Sequence, residues 1–444
     1  MVSQPSYRLK TKTLKLYKYP SAKSWPAIAQ RPVQNNSSIF PAVNDIIYEV
    51  ANNGDAALKS YAQKFDGVEL KNLQVSKKEI DVAIKSVPSA LKKAILHAKN
   101  NIQKFHSTQK QEIVKTETTK GITCWREVRP IEKVGLYIPG GSAPLFSTVL
   151  MLGIPAMIAG CKEIILCTPP DKNGKINDAI LYAASLCGIT KIFKTGGAQA
   201  VTAMAYGTKT IPAVYKIFGP GNQYVTAAKQ LLQSKVAIDM PAGPSEVLVI
   251  ADETAVPAFV AADLLAQAEH GPDSQVILAC TSPDIAKKVE TGVQVQLTQL
   301  PRKEIAAQAL QHARLVVLKD LDSAIAFSNL YAPEHLILAC KANNTLLKQI
   351  TTAGSVFIGN YSPESVGDYA SGTNHTLPTN GYATAYSGVS LDSFYKKITF
   401  QQLTKDGLLN IAKTVTTMAE AEGLQAHSEA VKVRLKAKEP DAKS

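Results

Sequence analysis

Seven histidines occur in this chain, and four of them stand where chemistry could use them. His270 closes an apolar-periodic run that stops at Gly271-Pro272, with Gln267 three residues before it and Asp263 seven before it. On a helix over roughly 256–269 these three share one face, so Gln267 and His270 can aim two donor atoms at one point. Imidazole is a common metal ligand and an amide oxygen an unusual one for zinc, and a capping histidine beside a surface glutamine explains the same letters. His335 follows Pro333-Glu334 at the start of the apolar run HLILA. A carboxylate next to an imidazole at the mouth of a strand reads as an acid–base pair or as a polar loop entering the strand. Asp368 and His375 lie in GDYASGTNHTLPT, whose small residues let backbone pack tightly around a ligand. Glu422 and His427 lie in AEAEGLQAHSEA between two helical runs, where both also fit plain helix surface. His97, His106 and His312 sit in charge-rich helical surroundings and are expected at the surface.

Two glycine-rich turns form a second group. Gly196-Gly197-Ala198-Gln199 follows the run KIFKT, and Gly219-Pro220-Gly221-Asn222 follows YKIFG. A strand–glycine turn–helix junction offers free N–H groups and the positive end of a helix dipole to a phosphate. Neither is a full dinucleotide fingerprint, because Tyr224 stands at the third glycine position.

These residues need elements to hold them. Residues 40–110 read as helices, with Asn53-Gly54-Asp55 before an apolar-periodic run. From about 131, short apolar runs alternate with helical segments: VGLYIP, EIILCT, KIFKT, YKIFG, VAID, EVLVIA and QVILAC, then RLVVL and HLILA. Such alternation predicts βαβ units and parallel sheets, and two α/β domains fit the count better than one. Residues 354–392 are dense in Gly, Ser, Asn, Pro and Tyr, and so long a loop in a compact protein is usually functional. The stretch from TFQQL onward reads as two helices and a basic tail, residues 1–32 as an arm with little regular pattern. No internal repeat is visible in the sequence.

Composition narrows the function classes. The 444 residues are 45% hydrophobic and 19% charged, ordinary for a soluble globular protein of two or three domains. Most of the six cysteines sit in apolar runs and none forms a CxxC pair, so they read as core hydrophobes in a reducing compartment. Of the net charge of +13, ten charges fall in residues 1–44 and the last fourteen, which leaves a nearly balanced core. That pattern argues against a nucleic-acid protein, which would carry a basic face with interleaved aromatics on its folded part. The uncharged run between Lys133 and Lys162 is long enough to span a bilayer. It holds Gly140-Gly141, Pro139, Pro144 and Pro155, however, and fits a strand, a turn and a buried helix better. No apolar leader stretch precedes it, so a cytoplasmic location is expected, with neither membrane nor nucleic-acid partner.

Taken together, these segments resemble the histidinol dehydrogenase family. The similar stretches are VGLYIPGGSAPLFSTVLMLGIPA (134–156), GGAQAV (196–201), FGPGNQYVTAAK (218–229), IDMPAGPSEVLVIAD (238–252), DLLAQAEHGPDSQVIL (263–278), YAPEHL (331–336), GDYASGTNHTLPT (367–379) and EGLQAHSEAV (422–431). The resemblance implies a four-electron oxidation of L-histidinol through L-histidinaldehyde to L-histidine, the final step of histidine biosynthesis. It implies two NAD+ per turnover, one zinc ion per subunit, and a homodimer whose active site is shared between subunits. Carried over, the metal ligands are Gln267, His270, Asp368 and His427, the last reaching the metal of the neighbouring subunit. Ser245 and Glu422 would join Gln267, His270, His335, Asp368 and His427 in holding substrate. Tyr137, Gln199 and Asn222 match NAD-contacting positions. His335 would be the general base and Glu334 would activate water, while zinc positions the substrate. His375 would support the site.

The architecture so implied is α/β: two Rossmann-like parallel-sheet domains, a small helical C-terminal dimerisation segment and an N-terminal arm. The arm is 1–32, the first α/β domain 33–133 with 247–385, the inserted NAD-contacting domain 134–246, and the partner-contacting segment 386–444. Three rivals are weighed against it. An aldehyde dehydrogenase needs an accessible thiol of lowered pKa, and no cysteine lies in a glycine-rich turn. A relative acting on another amino alcohol shares every motif above. A retired binding protein would have lost a catalytic or metal position, and all are present.

Overall fold

The computed structural model describes residues 14–32, 38–140 and 144–436. Arg8, Lys10 and Lys12 of the basic arm, Gly141, and Lys438 and Lys443 of the tail lie outside the described residues. The chain forms two compact units, Met1–Thr108 with Glu132–Ser393, and Gln109–Ile131 with Phe394–Ser444.

The first unit holds two parallel sheets. One has five strands in the order Lys191–Lys194, Glu163–Thr168, Lys133–Tyr137, Lys216–Phe218, Ala237–Ile238. The other has six, in the order Lys15–Lys18, Arg314–Val317, Gln275–Cys280, Glu246–Ala251, His335–Ala339, Ser355–Ile358. In each, the first strand of the segment lies at the centre and the chain winds outward to both sides, the order of a doubly wound fold. All nine apolar runs expected as strands are strands. The two sheets thus share a topology that no sequence repeat announces.

The strands are continuous apolar runs because helices cover both faces of each sheet. Two buried clusters flank the six-stranded sheet. One carries Val247, Val249, Leu264 and Leu278, the other Leu248, Ile250, Phe327 and Leu336. The uncharged run after Lys133 resolves into a strand and the 14-residue helix Phe146–Ala159, with Pro155 inside it. Among the described residues no helix is long and apolar enough to cross a membrane.

Several expectations need correction. Residues 15–18 of the arm form the edge strand beside Arg314–Val317, because their backbone completes a ladder that apolar alternation does not advertise. Asn53-Gly54-Asp55 lies inside the helix Phe40–Tyr61, whose Gly54 alone leaves helical geometry. That helix packs its apolar stripe, Val43, Ile46, Val50 and Leu58, against the core of the five-stranded sheet. The segment 386–444 is not all helical. Tyr395–Leu403, including TFQQL, is a nine-residue strand paired antiparallel with Ile122–Pro130, which also pairs with Lys115–Thr119. This small sheet and the helices Lys405–Ala421 and Gln425–Lys436 make up the second unit, to which residues 109–131 therefore belong.

Candidate active site

His335 opens its strand between Val247 on one neighbour and Ser355 on the other. The site therefore sits at the entering ends of the strands of the six-stranded sheet. Two backbone groups of Glu246 hold the candidate acid–base pair: its N–H donates to Glu334 Oε2 at 2.9 Å, and its carbonyl lies 3.1 Å from His335 Nδ1. A carbonyl only accepts, so Nδ1 carries the proton and the lone pair of the neutral ring sits on Nε2. That Nε2 is buried and lacks a hydrogen-bond partner among the described residues, with Asp368 Oδ1 at 3.6 Å. Glu334 approaches the ring from the other side, its Oε2 at 3.6 Å from Nδ1.

Glu246 is itself fixed by its side chain. Arg31 Nε and Nη2 donate to its two carboxylate oxygens at 2.5 and 2.9 Å, and the N–H of Asn380 donates to Oε1 at 2.9 Å. The same guanidinium lies over the Tyr331 ring, 4.0 Å from its centroid, and donates to the Tyr331 carbonyl at 2.7 Å. The next residue, Ala332, sits in the left-handed region at φ +52°, rare for a residue with a Cβ, and caps the helix Leu321–Tyr331 just before Glu334. Gly354 completes the enclosure, because a Cβ there would meet the Glu334 carbonyl oxygen at 2.5 Å.

Gln267 lies fully buried on the helix Pro257–Ala268, and His270 follows just past its end on the exposed rim. The Gln267 amide is satisfied when its nitrogen faces Glu364, 2.8 Å from Oε1 and 3.3 Å from Oε2. Glu364 and Asp368 share a face of the short helix Glu364–Tyr369, which lies in the segment expected to be loop. Ligand atoms of His270, Glu364 and Asp368 all fall within 4.8 Å of one another.

Burial shapes the titration of this cluster. It lifts Glu334 and Glu364 to about 8 and Asp263 to about 7. It works against the charge of His335 too, but Glu364, Glu334 and Asp368 together raise that imidazole well above its ordinary value. Asp368 is held below the ordinary carboxylate range, with burial opposing and His335, His375 and His270 overcoming it. Several carboxylates crowded into a desolvated pocket beside a buried amide and a rim histidine form a donor set that a divalent cation would satisfy. Gln267, His270 and Asp368 fit such an ion.

The loop around His375 is tied down by the helix Phe146–Ala159. Pro155 has no N–H, so the Met151 carbonyl four residues back lacks its helical donor, and the Asn374 side chain supplies one at 2.6 Å. His375 Nδ1 donates to the Asp368 carbonyl at 2.9 Å, which leaves Nε2 to accept from Thr148 Oγ1 at 3.0 Å. His375 thus fixes the backbone of a candidate ligand. His106, expected at the surface, is fully buried: Nδ1 donates to the Ile102 carbonyl at 3.0 Å and Nε2 faces the Asn374 amide at 3.4 Å. His97 is exposed and His312 half-buried.

The nucleotide-type turns lie on the five-stranded sheet. Tyr137, Gly196-Gly197 and Gly219 follow three strands at their carboxyl ends, and Tyr137 and Gly219 meet where the strand order reverses, the usual crevice for a dinucleotide. Gly219 at φ +130° comes so close that a Cβ would lie 2.0 Å from the Tyr137 carbonyl oxygen. Its N–H donates to Asp239 Oδ2 at 2.8 Å, its carbonyl accepts from Lys229 Nζ at 3.0 Å, and Lys229 and Asp239 form a buried ion pair. The Tyr137 hydroxyl accepts from the N–H of Gly197 at 3.1 Å, and burial pushes its pKa up to about 12. Gln199 is buried, and Asn222 Oδ1 caps the helix Gln223–Leu231 by accepting from Tyr224 and Val225.

Ser245 is half-buried one residue before Glu246. Glu422 and His427 belong to the second unit, both exposed at the corner between its two helices, which Gly423 turns at φ +73°. They are not part of the His270–Glu364–Asp368 cluster. Burial raises the thiols of Cys161, Cys187 and Cys340 to about 12 and Cys280 to about 11, and lifts Cys167 as well, the opposite of what a nucleophile needs.

Residues 29–435 match the family described as histidinol dehydrogenase. A histidinol dehydrogenase from Bacteroides fragilis is 58% identical over 423 residues, covering 95% of this chain and 99% of that one. Another, from Vibrio parahaemolyticus, is 53% identical over 413 residues, covering 92% and 95%. The crystal structure of histidinol dehydrogenase from Elizabethkingia anophelis superposes with a TM-score of 0.94 at 60% identity, covering 96% of this chain and 98% of that one.

Proposed function

The chain belongs to the histidinol dehydrogenase family, and from that premise we propose that it oxidises L-histidinol through L-histidinaldehyde to L-histidine, passing one hydride to each of two NAD+. The observation that carries this reading is the state of His335. Its Nδ1 proton is committed to the Glu246 carbonyl, while Nε2 is buried, unpartnered among the described residues and beside Asp368. A base so held presents one lone pair in one direction, which is what removal of a specific hydroxyl proton requires.

Gln267, His270 and Asp368 would hold one zinc ion, with His427 of a partner subunit completing the set in a homodimer. When bound, the ion would anchor the imidazole and amine nitrogens of the substrate. Asp368, once engaged as a ligand, holds the His335 proton less strongly and leaves that imidazole freer to act as a base. Ser245, and Glu422 of the partner subunit, would contact the substrate beyond those ligands. Tyr137, Gln199 and Asn222 would contact NAD+ at the reversal point of the five-stranded sheet.

In the first step His335 Nε2 takes the hydroxyl proton as the carbinol carbon gives a hydride to NAD+, leaving the aldehyde. Glu334 then takes a proton from water as the water oxygen bonds to the aldehyde carbon, and the protonated His335 returns its proton to the former carbonyl oxygen, which gives the hydrate and a neutral imidazole again. His335 removes a hydroxyl proton from the hydrate as a second hydride leaves to a second NAD+, and the carboxylate is the product. Because burial sets Glu334 near 8, its share of the work grows as pH rises through that value. No thiol is required, which agrees with the raised cysteine pKa values. We place the reaction in the cytoplasm as part of this reading.

The test is stoichiometric. Purified protein supplied with zinc, excess NAD+ and limiting L-histidinol should yield two NADH for each substrate consumed. One NADH, or none, sinks the proposal.

A further inference from the structure

The sequence offered no reason to single out Glu364. It lies in a loop-rich segment, outside every chemical motif, and the reaction above gives it no proton to move. Yet it is 2% exposed, contacts the buried Gln267 amide at 2.8 Å, and has Oε1 3.8 Å from His335 Nδ1. We propose that Glu364 is a positioning residue: it accepts from the Gln267 amide nitrogen and so turns the Gln267 oxygen to the face that receives the metal.

An amide is nearly symmetric in shape and can sit either way round, presenting oxygen or nitrogen to the same point. Only the oxygen can ligate. Something must therefore choose the orientation, and a buried choice needs a partner that accepts but does not donate. His335 Nδ1, 3.2 Å from the amide nitrogen, cannot be that partner, since its own proton is committed to the Glu246 carbonyl. The Glu364 carboxylate can. Both of its oxygens lie within reach of the amide nitrogen, so one accepts in any state of the group. Its place beside His270 and Asp368 also allows the rival reading that Glu364 itself ligates, and the experiment must separate the two.

The inference rests on zinc being held by Gln267, His270 and Asp368, and its readout is zinc affinity, measured by chelator competition on the full-length protein. Glu364→Gln keeps the shape but can donate as well as accept, so the Gln267 amide loses its preferred orientation. Affinity should fall by tenfold or more, in the range typical of residues that orient metal ligands. In a Gln267→Ala background the same change should cost less than about threefold. A Gln267→Glu/Glu364→Gln pair should recover most of the affinity, because a carboxylate offers an oxygen either way round. Circular dichroism and melting of the metal-free proteins check that each variant folds. Unchanged affinity in Glu364→Gln, or an equal loss with and without Gln267, overturns the proposal. A parent protein that binds no zinc overturns the metal reading and this inference with it.

Discussion

Replacing Arg31 by methionine removes a guanidinium that joins two backbone segments beside the proposed catalytic pair. The loss takes two bonds from Glu246, one from the Tyr331 carbonyl and a stacked contact with the Tyr331 ring. It also leaves the Glu246 carboxylate, 3% exposed, with one backbone donor from Asn380. Breaking one side of a buried pair costs about 3–5 kcal/mol, and since Arg31 is 19% exposed the lower end applies, about 3 kcal/mol at pH 8. The penalty should depend on pH. Burial already raises the Glu246 pKa against the pull of Arg31, and without Arg31 it rises further. A carboxyl whose folded pKa exceeds its unfolded value stabilises most in acid and loses that contribution as pH rises through the folded pKa. The deficit measured by urea unfolding should therefore shrink between pH 8 and pH 5.5. Adding Glu246→Gln removes the orphaned charge and should return most of the stability at pH 8. Because Glu246 backbone groups hold Glu334 and His335, kcat should fall at least tenfold while KM for NAD+ changes little. A deficit under about 1 kcal/mol at pH 8, or one that Glu246→Gln fails to relieve, refutes the reasoning.

Other perturbations separate the parts of the site. Gly354→Ala drives a Cβ to within 2.5 Å of the Glu334 carbonyl oxygen; a melting curve should show about 1–3 kcal/mol lost, and kcat should drop more than KM. Lys229→Met frees the Gly219 carbonyl and strands the buried Asp239, so KM for NAD+ should rise about tenfold with bound zinc unchanged, and an unaltered KM would detach that ion pair from the cofactor turn. Asp66 is lifted from 3.8 to about 6 by burial, and its Oδ2 has no hydrogen-bond partner among the described residues. Its folded pKa is the higher, so its contribution is lost above about pH 6. Asp66→Asn should stabilise at pH 8 by about 1 kcal/mol after allowance for partial exposure, and make no difference at pH 4. Mixed dimers of His335→Asn and His427→Asn chains, each inactive alone, should regain part of the activity, and verified heterodimers without it would argue against a shared site.

How much of this was legible varied with the physics. Most of the nine apolar runs announced their strands because strands buried on both faces need no alternation, and two of them, Lys191–Lys194 and Ala237–Ile238, lie at sheet edges. Helix periodicity put Gln267 and His270 on one face, but spacing alone favoured a capping histidine beside a surface glutamine. The strands outside those runs were hidden. Lys15–Lys18 and Lys115–Thr119 are mostly exposed and polar, and Tyr395–Leu403 is held by ladder hydrogen bonds to a segment far away in sequence. Glu364 and Arg31 were missed for another reason: each acts through a partner distant in sequence, Gln267 in one case and Glu246 in the other. The only local hint was the four-residue spacing of Glu364 and Asp368, on a helix of six residues too short to show a period. His106 deceived in the opposite direction, since lysines surround it in sequence but not its buried face.

The second unit has an implication for synthesis. Its strand Ile122–Pro130 pairs with Tyr395–Leu403, and the Gly121 carbonyl accepts from the N–H and hydroxyl of Thr404, 283 residues later. At ordinary translation speeds of roughly 5–20 residues per second, the early strand waits about 15–60 s for its partner to be made. During that interval the hairpin Lys115–Pro130 exposes an open edge with Trp125 on it, a template for pairing with another chain. The Lys115 ammonium, 4.7 Å from the Trp125 ring centre, and Arg126 place positive groups on that hairpin, while Arg129 pairs with Glu127. Nascent chains crowded on one message would then repel at the strand that each must keep free for its own C-terminus.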